Sequence, residues 1–346
     1  MYYLIKYWIS LGLFSYYKKI KIVGIENIPK DKPILFLSNH QNALLDILLI
    51  AINCSRKPYF LARADIFKNH FFRPFFYFLQ MLPVYRLRDG KSSLLKNEVI
   101  FNKCGELLNE GKAILLFPEA NHNLKRRVRP LSKGFTRILF SALNTNPNLD
   151  VHIIPIGQNY QTPTEMGDRA ALNFGKPIRV KDFLNVSEKE TIKTEVAKRI
   201  EVLTTHIEDE LQYGVIVKKL ALQYVDYLYP KKINAFLKGS IEIKNLPKYQ
   251  PSVLLTLTRG IFYLINLPQV FLWRILLKPK VPEAEFMGTF RFGYCMVAYP
   301  FFYTIAIAVS IYTYNVKTAC LIVIGHAVLN LALVKFGIAT SYHRRK

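Results

Sequence analysis

Ile34-Leu35-Phe36-Leu37-Ser38-Asn39-His40-Gln41-Asn42-Ala43-Leu44-Leu45-Asp46 begins with a short apolar run and passes through a polar loop into an apolar, helix-compatible stretch, Leu44 to Ile52. The run reads as a strand and the stretch as a helix. A His leaving a strand end with an Asp ahead of it suits a general base held in one tautomer by a carboxylate. On a continuous helix, residues six apart point about 240° away from each other. The spacing therefore predicts His40 in the loop, with Asp46 reaching back toward it from the helix. Taken alone, such a pair is more often structural than catalytic, so the surrounding chain has to decide.

Outward from this stretch, β-rich runs alternate with helix-compatible ones over about residues 20 to 180, which is the pattern of an α/β domain. Strands are expected at 34–37, 59–62, 84–86, 113–117, 151–156 and 172–174, and helices at 44–52, 71–80, 92–109 and 135–144. Residues 187 to 225 are charged and helix-prone, with Ser187 and Glu190 at capping-box spacing. The expected organisation is an interfacial membrane helix over 1–19, an α/β domain over 20–210 and a helical linker over 211–250. A C-terminal hydrophobic helical appendage follows over 251–346. Within it, two uncharged stretches, about 292–316 and 318–339 and broken only by Lys335, predict a transmembrane hairpin. The stretch Gly260 to Trp273, interrupted by Pro268, reads as interfacial or re-entrant. Lys278, Lys280 and Arg291 before the hairpin and Arg344, Arg345 and Lys346 after it predict cytoplasmic ends, with Lys317 outside.

Lys and Arg number 48 against 24 Asp and Glu, a formal charge of +24, so the surface should attract polyanions. A chain that is 51% hydrophobic, with 21 Tyr and 24 Phe, is too apolar for a nucleic-acid-binding tail, and it is not apolar enough for a polytopic transporter. Charge combined with apolar surface favours a protein seated on a membrane. Cys54, Cys104, Cys295 and Cys320 show no metal-ligand or disulfide-framework spacing and read as reduced, buried thiols. No nucleophile elbow accompanies His40, so the attacking group is expected to be a substrate hydroxyl, with no acyl-enzyme.

Further groups of residues follow in order: Phe60-Leu61-Ala62-Arg63, Leu82-Pro83-Val84-Tyr85-Arg86, Phe117-Pro118-Glu119-Ala120-Asn121-His122, Lys133-Gly134, Ile153-Ile154-Pro155-Ile156-Gly157 and Phe174-Gly175-Lys176-Pro177. With Asn39-His40 through Asp46, this order resembles the glycerolipid acyltransferase superfamily, the lysophospholipid and 1-acylglycerol-3-phosphate acyltransferases. The five residues between His40 and Asp46, one more than usual, resemble the branch that holds yeast-type glycerol-3-phosphate acyltransferases.

The resemblance covers residues 20 to about 210. It implies a mixed sheet flanked by helices, with His40 and Asp46 as the catalytic pair and Arg63, Arg86, Glu119, Lys133 and Gly134 at the substrate. The third motif usually continues Gly-Thr-Arg, where this chain has Ala120, Asn121 and His122. Ala at 120 predicts a loop conformation open to ordinary residues. One of Lys125, Arg126, Arg127 or Arg129 is then expected to replace the missing Arg, or to touch phosphate or the membrane surface. The implied reaction moves an acyl group from acyl-CoA or acyl-carrier protein to lysophosphatidic acid, with glycerol-3-phosphate or another lysolipid as the alternative acceptor. No metal, organic cofactor or nucleic-acid partner is expected, and the expected location is a bacterial inner membrane with the catalytic domain on its cytoplasmic face. A non-catalytic basic membrane scaffold is the alternative from another class.

Overall fold

The structure is a computed structural model that describes residues 2–71, 73–85, 91–183, 189–249 and 255–337. Among these residues, eight strands form one sheet in the order β1-β7-β6-β2-β5-β3-β4, with β8 against β6. The strands are β1 Lys19–Val23, β2 Ile34–Ser38, β3 Tyr59–Arg63, β4 Met81–Val84, β5 Ala113–Leu116, β6 His152–Tyr160, β7 Arg169–Phe174 and β8 Ile178–Arg179. All pairings are parallel except β6 with β7 and β6 with β8, so the sheet is mixed. Its central strand, β2, lies between β5 and β6.

Alternation along β2 feeds both faces of the sheet. Ile34 and Phe36 enter a core with Leu13 and Tyr17 of the N-terminal region and with Leu45, Leu49 and Tyr160. Leu35 and Leu37 enter the opposite core with Leu108, Phe135, Ile138 and Val196. Helices α1 Tyr2–Tyr16 and α2 Ala43–Asn53 cover the first face. The second is covered by α4 Lys91–Asn109, α5 Gly134–Thr145 and α6 Lys189–Leu203. The short α3 Arg73–Phe78 lies between β3 and β4.

The expected strand at 84–86 lies instead at Met81–Val84. Gln80, at φ 61, turns the chain into it, and Pro83, which has no N–H, is tolerated because β4 is a sheet edge. Strand β1 was not expected. Its Lys-Ile-Lys-Ile-Val run alternates, but its partner β7 lies about 150 residues later, where local pattern gives no guidance. Arg86, Ser187 and the closing basic cluster Arg344 to Lys346 lie outside the described residues. Cys54 and Cys104 are buried as expected, whereas Cys295 is half-buried and Cys320 exposed. The cause is position: Cys295 and Cys320 sit on the long apolar C-terminal helices, most of whose residues are not buried.

Helices α7 Tyr213–Leu222 and α8 Pro230–Leu237 enclose a small core of Leu220, Val225, Tyr227, Ile233 and Leu246. The Arg169–Asp226 ion pair, at 2.9 Å, ties this unit to the end of the sheet.

Beyond it come α9 Leu255–Ile265, α10 Leu267–Leu272, α11 Met287–Thr313 and α12 Val316–Phe336. Residues 284–313 and 316–336 are long and apolar enough to cross a membrane, and the segments on either side of Asn266 meet at 93°. Asn315 caps α12 by accepting from the Thr318 amide at 2.9 Å.

The bend at Asn266 frees backbone carbonyls, and neutral side chains take them up. Asn266 Nδ2 donates to Phe262 O at 2.9 Å, and His326 Nε2 to Ile265 O at 3.1 Å. Asn266 and Asn330 then exchange amide hydrogen bonds of 2.6 and 3.1 Å, and the Tyr299 hydroxyl donates to Asn266 Oδ1 at 2.9 Å. A break among apolar helices is tolerated where neighbouring groups satisfy it in this way.

The hairpin docks on the α/β domain. Phe292 of α11 belongs to the core that holds Leu13 and Tyr16. Lys335 Nζ donates to the carbonyls of Phe14 and Tyr17 at 2.6 and 2.8 Å, placing a cation at the carboxyl end of α1. Gly288 sits where a Cβ would lie 2.6 Å from Asn42 Oδ1 and 3.0 Å from the Pro163 carbonyl, so glycine permits the close approach.

Candidate active site

Parallel pairing decides which loops meet. β2, β3, β4, β5 and β6 run the same way, so the residues following them emerge at one edge of the sheet: His40 after β2, the Arg63 end of β3, Tyr85 after β4, Phe117 to Glu119 after β5, and Tyr160 closing β6. Crevices at the carboxyl edge of α/β sheets are where such folds bind ligands.

His40 lies in the loop and Asp46 in the first turn of α2. His40 Nδ1 is 2.8 Å from Asp46 Oδ2. The same oxygen accepts the amides of Gln41 at 2.7 Å and Asn42 at 2.8 Å, while the Tyr160 hydroxyl donates to Oδ1 at 2.5 Å. Asp46 is fully buried, and these four donors supply what water would otherwise supply. The Gln41 and Asn42 amides are therefore spent on the carboxylate. Burial pushes the Tyr160 hydroxyl well above its ordinary pKa, so it remains a donor. With Nδ1–H directed at Asp46, the basic lone pair of His40 is on Nε2. The His40 ring stacks on Phe117, centroids 4.0 Å apart and planes 15° apart, and meets the His122 ring edge to face at 5.6 Å.

Asn39 fastens this loop to β6: its Nδ2 donates to Gln158 O at 3.0 Å and its Oδ1 accepts the Gln158 amide at 2.7 Å. The Asn123 amide donates to His40 O at 3.0 Å, joining the loop after β5 to the loop after β2.

Glu119 is buried. Its Oε2 accepts Arg129 Nε at 2.8 Å and Nη2 at 2.6 Å, and its Oε1 has no hydrogen-bond partner among the described residues. Burial pushes this carboxyl up to about 7, opposed by Arg129. Ala120 does not take the ordinary conformation expected of it. It has φ 59, in the left-handed region, where the Ala120 amide closes a turn on the Phe117 carbonyl at 3.2 Å. The strain is tolerated because the Glu119–Arg129 pair and the Asn123–His40 bond fix the loop on both sides.

Most of the remaining basic run is committed to internal bonds. Arg126 donates to the carbonyls of Tyr160 at 2.8 Å and Gln161 at 3.0 Å, and its guanidinium lies 3.5 Å from the Tyr227 ring centroid. Arg127 pairs with Glu210 at 2.7 Å, and Lys125 lies over the Tyr213 ring at 5.7 Å. Arg63, at the end of β3, is paired with Asp65, its Nε 3.1 Å from Oδ1. Lys133 is exposed and precedes α5, whose first residue is Gly134. Arg86 lies outside the described residues, but Tyr85 just before it is held by reciprocal bonds of 2.9 and 2.8 Å to the Asn97 side chain.

Two contributors were not identified from sequence. Tyr160 belongs to the polar run Gln158-Asn159-Tyr160-Gln161 after an apolar strand, a local signal that side chains there have buried partners. The second is the segment leading into α11, which lies beyond any motif. His122 Nε2 is 3.2 Å from Glu283 Oε2, the Phe286 ring packs edge-on against His122 at 4.5 Å, and Thr289 Oγ1 accepts the Leu44 amide at 3.1 Å.

An acyltransferase family model matches residues 19–158. A chloroplastic 1-acyl-sn-glycerol-3-phosphate acyltransferase of Arabidopsis thaliana is 29% identical over 174 residues, 49% of this chain and 44% of that protein. Glycerol-3-phosphate O-acyltransferase 1 of Saccharomyces cerevisiae is 28% identical over 81 residues, 23% of this chain and 11% of that protein. The chain thus spans less than half the length of these relatives. Among solved structures, the 1-acyl-sn-glycerophosphate acyltransferase of Thermotoga maritima aligns with a TM-score of 0.42 and 21% identity, covering 57% of this chain and 77% of that one. Residues 19–158 thus match the acyltransferase family, and the relatives similar to this chain include 1-acyl-sn-glycerol-3-phosphate acyltransferases.

Proposed function

We propose that this protein is a membrane-bound acyltransferase that moves a fatty acyl group from acyl-CoA or acyl-carrier protein onto the free hydroxyl of 1-acyl-sn-glycerol-3-phosphate, forming phosphatidic acid. The observation that carries the proposal is the His40–Asp46 pair, a basic imidazole nitrogen turned away from a fully buried, four-fold hydrogen-bonded carboxylate at the carboxyl edge of the sheet. In this reading His40 Nε2 removes the acceptor's hydroxyl proton as the oxygen attacks the thioester carbonyl carbon. A carbon–oxygen bond forms, the carbon–sulfur bond breaks, and the imidazolium returns its proton to the leaving thiolate. Asp46 holds the ring and stabilises its cationic form. Glu119 Oε1, an unspent acceptor, is suited to orient a hydroxyl of the glycerol unit, while Oε2 keeps Arg129 in place.

The five-residue spacing between His40 and Asp46, with the yeast relative above, supports glycerol-3-phosphate as a second candidate acceptor. Purified protein offered labelled acyl-CoA or acyl-carrier protein with a panel of phosphorylated and non-phosphorylated acceptors discriminates the two. Labelled phosphatidic acid from lysophosphatidic acid is expected, and a preference for glycerol-3-phosphate selects the second reading. No transfer to any acceptor returns the chain to the scaffold reading.

The two apolar helices support seating in a bilayer, and the basic residues before α11 favour the catalytic domain on the cytoplasmic face. A topology reporter inserted at Lys317 is expected to report the far side, and a cytoplasmic signal there overturns this orientation.

A further inference from the structure

The acyltransferase match ends at residue 158, yet the wall of the His40 site continues into residues 283–291, the entry to the first membrane helix. This segment is fixed by contacts that leave Glu283 out. Thr289 Oγ1 accepts the Leu44 amide at 3.1 Å, Gly288 packs against Asn42 and the Pro163 carbonyl, and Arg291 Nη1 donates to Thr164 O at 3.0 Å. Docking therefore does not depend on the Glu283 side chain, which reaches back from an exposed position to the buried His122.

The His40 ring has one soft torsion once Asp46 holds Nδ1, namely rotation of its plane about that hydrogen bond. Phe117 covers one face at 4.0 Å, and the His122 ring meets it edge to face at 5.6 Å. His122 is itself held at two points, Glu283 on Nε2 at 3.2 Å and Phe286 at 4.5 Å. A carboxylate on Nε2 fixes the proton there and so sets the tautomer and orientation of His122.

We infer that Glu283 and Phe286, supplied by the membrane hairpin, are positioning residues for the reaction site, acting on the plane of His40 through His122. This inference rests on the acyl-transfer reading of that site. It makes the hairpin part of the active site's wall, so that the seating of α11 on the domain and the alignment of the base are one event. Reacting groups need their geometry within a fraction of an ångström, so a loosened imidazole lowers the rate without weakening donor capture.

The test compares wild type, Glu283→Ala, Glu283→Gln, Phe286→Ala and His40→Ala, each with both apolar helices present, in bilayer vesicles. Acyl-transfer kinetics are read alongside modification of His122 by diethyl pyrocarbonate, followed by peptide mass spectrometry. Glu283→Ala and Phe286→Ala are expected to lower kcat about tenfold with the donor KM within twofold of wild type, the scale of lost outer-contact support. Glu283→Gln, whose amide oxygen still accepts from Nε2–H, is expected to restore kcat to within about threefold. His122 should be modified several-fold faster in Glu283→Ala than in wild type or Glu283→Gln. Equal kcat in Glu283→Ala and wild type, with His40→Ala inactive, overturns the positioning role and leaves the acyl-transfer reading standing. Absence of transfer by wild type overturns that reading and the positioning role together. An unchanged His122 modification rate in Glu283→Ala overturns the Glu283–His122 contact whatever the activity.

Discussion

Two polar clusters, one at the sheet edge and one among the apolar helices, are built on different terms. At the sheet edge, Asp46 is a fully buried carboxylate met by one imidazole, two backbone amides and a phenol. Among the apolar helices, Asn266, Asn330, Tyr299, Tyr303 and His326 bond to one another and to carbonyls freed at the bend, with no carboxylate present. The first concentrates charge where the proposed reaction moves a proton, and the second closes the accounts of a broken helix with neutral groups. Removing a partner from the first strands a charge, whereas removing one from the second strands only a dipole, and these penalties differ several-fold.

The contrast should be widest in the rate of the reaction. His40→Ala is expected to reduce acyl transfer by about 10²- to 10⁴-fold in protein that remains folded and membrane-bound, measured as turnover at equal folded protein. Activity within a few-fold of wild type would remove His40 from the chemistry. Asp46→Asn should approach that loss and add a stability defect of about 1–3 kcal/mol, because an amide N–H₂ must face donors that a carboxylate accepts. Thermal unfolding and turnover on the same preparation separate the two effects. If Asp46→Asn loses stability and keeps its rate, the cluster is structural.

A smaller effect is expected in the helical cluster. Asn330→Ala should weaken hairpin packing by about 1 kcal/mol, within the range for interhelical side-chain hydrogen bonds in membranes, as read by unfolding in mixed micelles. A loss comparable to that from Asp46→Asn would erase the distinction between charged and neutral clusters.

The least effect lies in pH. Glu119 and Asp168, both pushed up to about 7 by burial from ordinary values of 4.5 and 3.8, hold protons in the folded chain that the unfolded chain releases. Their contribution to stability is therefore greatest below the unfolded values and is lost as pH rises toward about 7. Glu119→Gln should flatten the fall in Tm between about pH 5 and pH 7. A slope identical to wild type would mean that Arg129 keeps the carboxylate ionised throughout.

The same contrast explains what could be read from sequence. His40 and Asp46 lie within one short stretch, with strand, loop and helix in order, so their meeting was legible from backbone period alone. Glu119 came near them because β2 and β5 are parallel neighbours, a pairing that the alternation of strands and helices did not specify, since β3 and β4 lie between them in the chain. Tyr160 and Glu283 were hidden by separation: Tyr160 reaches Asp46 across 114 positions and Glu283 reaches His122 across 161, and no periodicity links residues so distant. Ala120 was misjudged for a related reason. Its left-handed backbone is held by tertiary contacts of Glu119 and Asn123 that override the preference of the residue itself. The basic run 125–129 looked like a ligand surface because composition reports charge and not its partners, which turned out to be Tyr160, Gln161, Glu210 and Glu119.

Phe292 and Lys335 reach back to the first helix, one closing the core beside Leu13 and Tyr16 and the other meeting the carbonyls of Phe14 and Tyr17. On the ribosome the first helix is made hundreds of residues before either of them. The newborn chain must therefore carry this aromatic-rich helix without its partners until residues 292 and 335 have been made, and the bilayer is the obvious place to shelter it. Maturation of this protein becomes a matter of timing: α1 waits for α11 and α12, and a stall in synthesis before residue 292 would leave that helix still unclaimed.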